Sequence, residues 1–100
     1  MIIVAGYVDF ASSERATFLD LAQDAIKRCR VEEGCLEYSF TEDRLDPGRV
    51  RVLEIWDGEE SLRRHLENVE AGGGPPHSVE ILAEHLVRYD VSASVDLVRK

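Results

Sequence analysis

The run VRVLEIWDGEESLRRHL, from Val50 to Leu66, constrains the fold more than any other part of the chain. Alternation sets Val52, Glu54 and Trp56 on one face of a strand and Leu53 and Ile55 on the other. Apolar side chains on both faces predict an interior strand. Asp57 is placed to cap the helix that follows, and Glu60, three positions on, completes a capping box. Leu62, His65, Leu66 and Val69 then recur at i, i+3, i+4 and i+7, so the helix lays that stripe on the sheet, histidine included. A strand carboxylate, a tryptophan and an inward histidine converge within a short span.

The remaining segments supply the partners of this unit. Ile2 to Phe10 reads as a first strand buried on both faces, and Gly6 inside it marks a close approach of another backbone. Ser12 or Ser13 is the expected cap of a helix carrying Phe18, Leu21, Ala22, Ala25, Ile26 and Cys29 inward through about Val31, with Gly34 ending it. Cys35 to Thr41 alternates, with Leu36, Tyr38 and Phe40 on the buried side, and Asp46-Pro47-Gly48 predicts a type II turn closing a hairpin. The GGGPP run after the second helix is a connector or a lid. Ser78 to Glu84 is expected as a short third helix, with Val79, Leu82 and Ala83 inward, and Leu86 to Val98 as a long final strand. The order β-α-β-β-α-(α)-β over residues 1–100 predicts a single α+β domain of the ferredoxin-like, split βαβ plan, with one four-stranded antiparallel sheet. Its helix-free face is apolar as well, and a second copy of the chain is the expected cover. The final strand, longer than the usual five or six residues, is expected to reach that partner.

A net charge of -8 and a pI near 4.8 repel a phosphate backbone, which excludes nucleic acid as a natural partner. The apolar start MIIVAGYVDF has no basic leader and carries Asp9, so it reads as a strand, with no membrane segment and a cytoplasmic location expected. Cys29 and Cys35 read as free thiols. No metal site is expected, because His65, His77 and His85 lack ligand spacing.

The first strand, the helix ending in EEGCLEYSF, the DPG hairpin and VLEIWDGEESLRRHL together resemble the antibiotic biosynthesis monooxygenase domain, a dimeric α+β barrel family of quinol and anthrone oxygenases. The resemblance implies oxidation of a small aromatic compound by O2 without metal or flavin, in a pocket between the helix-free sheet face and the helices or loops at its edge. It implies His65 as base or hydrogen-bond partner, Trp56 as a wall against the substrate, and His77 as the counterpart of a second family histidine. Glu54 is expected either to face the cavity or to pair with Arg51, Arg88 or His65. Leu62, Gly6, Tyr7 and Tyr38 complete the expected pocket, though tyrosines at such positions also serve as core or interface. The implied partner is a second copy, joined through the helix-free face and the C-terminal strand. Two other functions fit the same fold: a binding module that holds an apolar ligand without chemistry, and a haem-degrading protein. The latter is disfavoured because haem-degrading members place an asparagine in strand one where Gly6 stands here.

Overall fold

A computed structural model describes residues 1–100. The elements are β1 (Ile2–Asp9), α1 (Arg15–Arg30), β2 (Cys35–Glu42), β3 (Arg49–Trp56), α2 (Glu59–Asn68) and β4 (Ala83–Asp90), with a wide π-type turn at Val69–Gly73 after α2. The strands form one antiparallel sheet in the order β2-β3-β1-β4. This is the expected split βαβ, ferredoxin-like α+β plan, with β3 and β1 interior.

Both helices lie on the sheet face that carries Ile2, Val4, Val8, Tyr38, Phe40, Val50, Val52, Glu54 and Trp56. At one end Ile2, Tyr38 and Trp56 pack with Cys29 of α1 and Leu62 of α2. At the other Phe10 and Val50 pack with Phe18 and Ala22 of α1 and with Val79. The buried stripe of α1 is Phe18, Ala22, Ala25 and Cys29, one residue per turn, while Leu21 stands about half exposed. Gly6 sits mid-strand where a Cβ would overlap the His85 carbonyl oxygen of β4, which is the close approach the sequence marked.

Several local features depart from the sequence reading. Neither serine caps α1: the Glu14 amide closes a tight turn on the Ala11 carbonyl at 2.8 Å, and the helix starts behind it with no side-chain cap. Gly58, not Asp57, stands at the start of α2, because Asp57 Oδ1 accepts the Ser61 hydroxyl at 2.6 Å and Glu60 turns outward to Arg63 and Arg64. Glu59 pairs with Arg88. Gly34 has the left-handed backbone expected of it (φ 84°), but in the turn into β2, beyond the helix end at Val31. Gly48 lacks the positive φ of a type II turn. A glycine is required there because a Cβ would collide with the Phe10 carbonyl, whose own amide donates to Gly48 O at 2.8 Å. A bulge between Cys35 and Glu37 rotates Leu36 out to solvent.

The third helix does not form. Val79 is buried and Ile81 also faces inward, a spacing of two that suits extended chain, and the Leu82 amide already bonds Asp9 O at 2.8 Å as the first rung of β4. Nor does the last strand run to Val98. Asp90 pairs with Ile2, the Val91 amide takes Met1 O at 2.9 Å, and the chain leaves the ladder there.

The helix-free face carries Ile3, Ala5, Leu53, Ile55, Val87 and Tyr89 toward one end of the sheet. At the other end the Arg49 guanidinium grips both oxygens of Asp9 at 2.7 and 2.9 Å and lies 3.5 Å from the Tyr7 ring centroid. Two outcomes follow for stability. Gly6→Ala forces β1 off β4 and lowers unfolding free energy by roughly 1–3 kcal/mol, read by urea denaturation. The Arg49 contact holds the Asp9 carboxyl below its ordinary value of 3.8. Its stabilisation is therefore present above that value and lost as pH falls through the lower, folded-state one, so Asp9→Asn flattens the acid limb of a plot of Tm against pH.

Candidate active site

The two core clusters leave a hollow of about 300 Å³ between them, under the helices and against the sheet. Val4, Val8, Val50 and Val52 form its floor, and Pro75, Pro76 and His77 close one side. This places the pocket on the helix-covered face, not at the helix-free face that the resemblance implied. Tyr38, Glu54, Leu62, His65 and His77 reach its wall. Tyr7 does not, since strand alternation turns it to the opposite face beneath Arg49. Gly6 presents no side chain to the hollow. Trp56 is fully buried behind the wall and touches the cavity only through its partners.

His65 is the centre of the polar wall and is only 3% exposed. From α2 it projects between two carboxylates. Nδ1 lies 3.3 Å from both oxygens of Glu32, in the turn after α1, and Nε2 lies 3.6 Å from Glu54 Oε1 of β3. The Trp56 indole N–H donates to that same Glu54 oxygen at 3.1 Å, and its ring lies 4.5 Å from the imidazole, tilted by 31°. Tyr38 meets the imidazole edge-on at 5.4 Å. Of the three cations or histidines expected to answer Glu54, only His65 does so: Arg51 is held by Asp43, and Arg88 by Glu59 and Asp90.

The electrostatics follow from burial. Desolvation pushes the Glu54 carboxyl up from its ordinary value, against the Trp56 N–H and the nearby imidazole, which pull it down. Desolvation also raises the Tyr38 phenol, which stays protonated, and lifts the Cys29 thiol to about 11. A carboxylate beside Nδ1 favours the tautomer that carries its proton there, which leaves Nε2 as the nitrogen turned toward Glu54. The arrangement can take a proton from a ligand in an apolar hollow and hold a second carboxyl beside the site of transfer.

Glu32 was not among the residues expected from the sequence. Its contact with His65 spans 33 positions, and the only local sign is a pair of glutamates, Glu32 and Glu33, just beyond a helix end.

Residues 1–73 match the family described as antibiotic biosynthesis monooxygenase. Over 99 residues the chain is 28% identical to the Bacillus subtilis protein "Putative monooxygenase YcnE", covering 99% of this chain and 95% of that one. It is 32% identical over 66 residues to the uncharacterized protein sll1783 of Synechocystis, which is 66% of this chain but 45% of the longer relative. Among solved structures, a "putative antibiotic biosynthesis monooxygenase" of Deinococcus radiodurans superposes with a TM-score of 0.79 at 21% identity, over 99% of this chain and 100% of that one. A heme-degrader of Mycobacterium tuberculosis, solved with two hemes in its active site, gives 0.73 at 11% identity over 96% and 100%. At those identities both superpositions speak for the fold alone. With the match running from Met1 through the sheet core and both helices to Gly73, this chain belongs to the antibiotic biosynthesis monooxygenase family.

Proposed function

We propose that the chain is a cofactor-independent monooxygenase that oxidises a small aromatic quinol or anthrone with O2 and works as a homodimer. The observation that carries this reading is a buried histidine, oriented at Nδ1 by Glu32, with Nε2 beside an apolar hollow of about 300 Å³. His65 Nε2 takes the acidic proton of the bound substrate. The resulting anion passes one electron to O2, and the substrate radical and superoxide join at carbon. The peroxide recovers the proton from His65 and loses water, leaving one oxygen atom on carbon as a carbonyl and the other in water. Valine floor and proline wall keep the anion poorly solvated, which favours its oxidation. Burial drives Glu54 toward its protonated form, in which it can donate to the oxygen that gains charge.

The fold resemblance to a heme-degrader does not redirect the reading. At Gly6 the β4 backbone fills the space where a strand-one side chain would stand, so β1 offers no polar group there to a macrocycle.

The dimer rests on the helix-free face. Leu53 and Tyr89 are 39% and 52% exposed, they lie among Ile3, Ala5, Ile55 and Val87, and no element of the chain covers them. The tail beyond Asp90 offers a second contact to the same partner.

Oxygen uptake with menadiol or anthrone is expected for the wild type and falls by roughly 10²–10⁴-fold in His65→Ala. Equal rates in the two proteins remove His65 from the chemistry, while a ligand-induced rise in Tm with no uptake in the wild type identifies a binding module instead. In sedimentation the wild type runs as a dimer and Leu53→Arg as a monomer. A monomeric wild type at micromolar concentration overturns the proposed assembly.

A further inference from the structure

We propose that Cys29, Glu32 and His65 form a binding site for a single divalent cation of the zinc type, supported by Glu54 and Tyr38. One ligand atom from each of the three residues can be chosen so that all lie within 4.8 Å of one another. A tetrahedral shell with metal–sulfur near 2.3 Å and metal–nitrogen or –oxygen near 2.0 Å needs ligand atoms about 3.3–3.6 Å apart, so closure from the 4.8 Å bound takes at most about 1.5 Å. His65 Nδ1 and Glu32 already stand at that spacing, 3.3 Å apart, so the adjustment falls to the Cys29 thiol, turning about its χ1, with Glu32, whose side chain reaches solvent, following it. The same exposed edge is the way in for the ion and leaves a fourth position for water.

The donor set selects the class of ion. One sulfur, one imidazole nitrogen and one carboxylate oxygen suit zinc and its neighbours and disfavour magnesium and calcium, which take oxygen. A thiolate and a carboxylate also balance a double positive charge, so the loaded site is neutral where an unbalanced charge would be costly. The surroundings already have the form of an outer shell. With Nδ1 on the metal, the proton of His65 moves to Nε2, which faces the Glu54 carboxylate at 3.6 Å, and Glu54 is itself held by the Trp56 N–H. Tyr38 packs beside Cys29 in the same buried cluster and screens the sulfur from solvent. Binding releases the thiol proton to solvent and involves no change of oxidation state.

The site stands independently of the proposed oxygenase, though the two share His65. If both hold, the cation converts Nε2 from free base to donor and zinc inhibits oxygen uptake.

Cobalt(II) titration of the reduced full-length chain tests the site through a signal separate from activity. Expected are one equivalent bound, a thiolate-to-cobalt charge-transfer band with tetrahedral visible absorption, and loss of both on adding zinc. Cys29→Ser abolishes the charge-transfer band, Glu32→Gln weakens binding by at least about tenfold, and Cys35→Ser leaves both unchanged. Absence of the band in folded wild type, or its loss in Cys35→Ser and survival in Cys29→Ser, overturns the proposal. Should Cys29→Ser fail to fold by circular dichroism, the solvent-reaching Glu32→Gln decides, and unchanged affinity in that variant refutes the site. The cobalt spectrum reads out whether or not the protein consumes oxygen.

Discussion

A carboxylate sealed into the inner face of a sheet has to be answered by donors, and Glu54 imposes that condition on this fold. Trp56, two residues along the same strand face, answers locally through its indole N–H. The second neighbour must come from elsewhere, and α2 brings His65 to it. Glu32 then holds the far nitrogen from the end of α1. Three elements are thereby pinned at one point. Leaving a buried polar group without its partner costs about 1–3 kcal/mol, against about 1 kcal/mol or less for the exposed arginine pairs on α2, so this junction sets the relative placement of the helices more strongly than the surface charges do.

The hollow is the complement of that arrangement. Bulk is gathered at the two ends of the sheet, where Trp56 and Tyr38 meet Cys29 and Leu62, and where Phe10 stacks on Phe18 with ring centroids 4.3 Å apart. Between them the rows of β1 and β3 hold Val4, Gly6, Val8 and Val52, short residues that leave the middle of the sheet thinly filled. Packing that is dense at the ends and thin in the middle leaves a cavity whose polar groups sit on one wall without a special lid to build it.

What was legible in the chain was whatever depends on periodicity. The alternation of Val50 to Trp56 and the helical stripe through Leu62 and His65 placed both elements and the inward histidine, and the apolar run Ile2 to Phe10 gave the interior partner. Features decided by tertiary competition were not legible. The Asp57 side chain had two possible uses and took Ser61, the segment after Ser78 was drawn into a β ladder by Asp9, and β4 ended at Asp90, well short of Val98. At the site, Glu54 and His65 were readable because each is odd on its own element. Glu32 was not, being an ordinary glutamate until the fold brings it under the imidazole. Trp56 was assigned to the pocket by the family resemblance and Tyr7 by residue type, and burial depth and strand parity respectively set them away from it.

The outer strands β2 and β4 are the two open margins of the sheet. On β2 the bulge at Cys35 and Glu37 breaks the even spacing of free amides and carbonyls just where another strand would begin to dock. On β4, Arg88 and Asp90 place a charge pair along the rim, and the chain then leaves the ladder. Lateral growth of this sheet into an open-ended fibril is obstructed at both sides, and the face-to-face pairing proposed above, by closing on itself, would terminate instead of propagating.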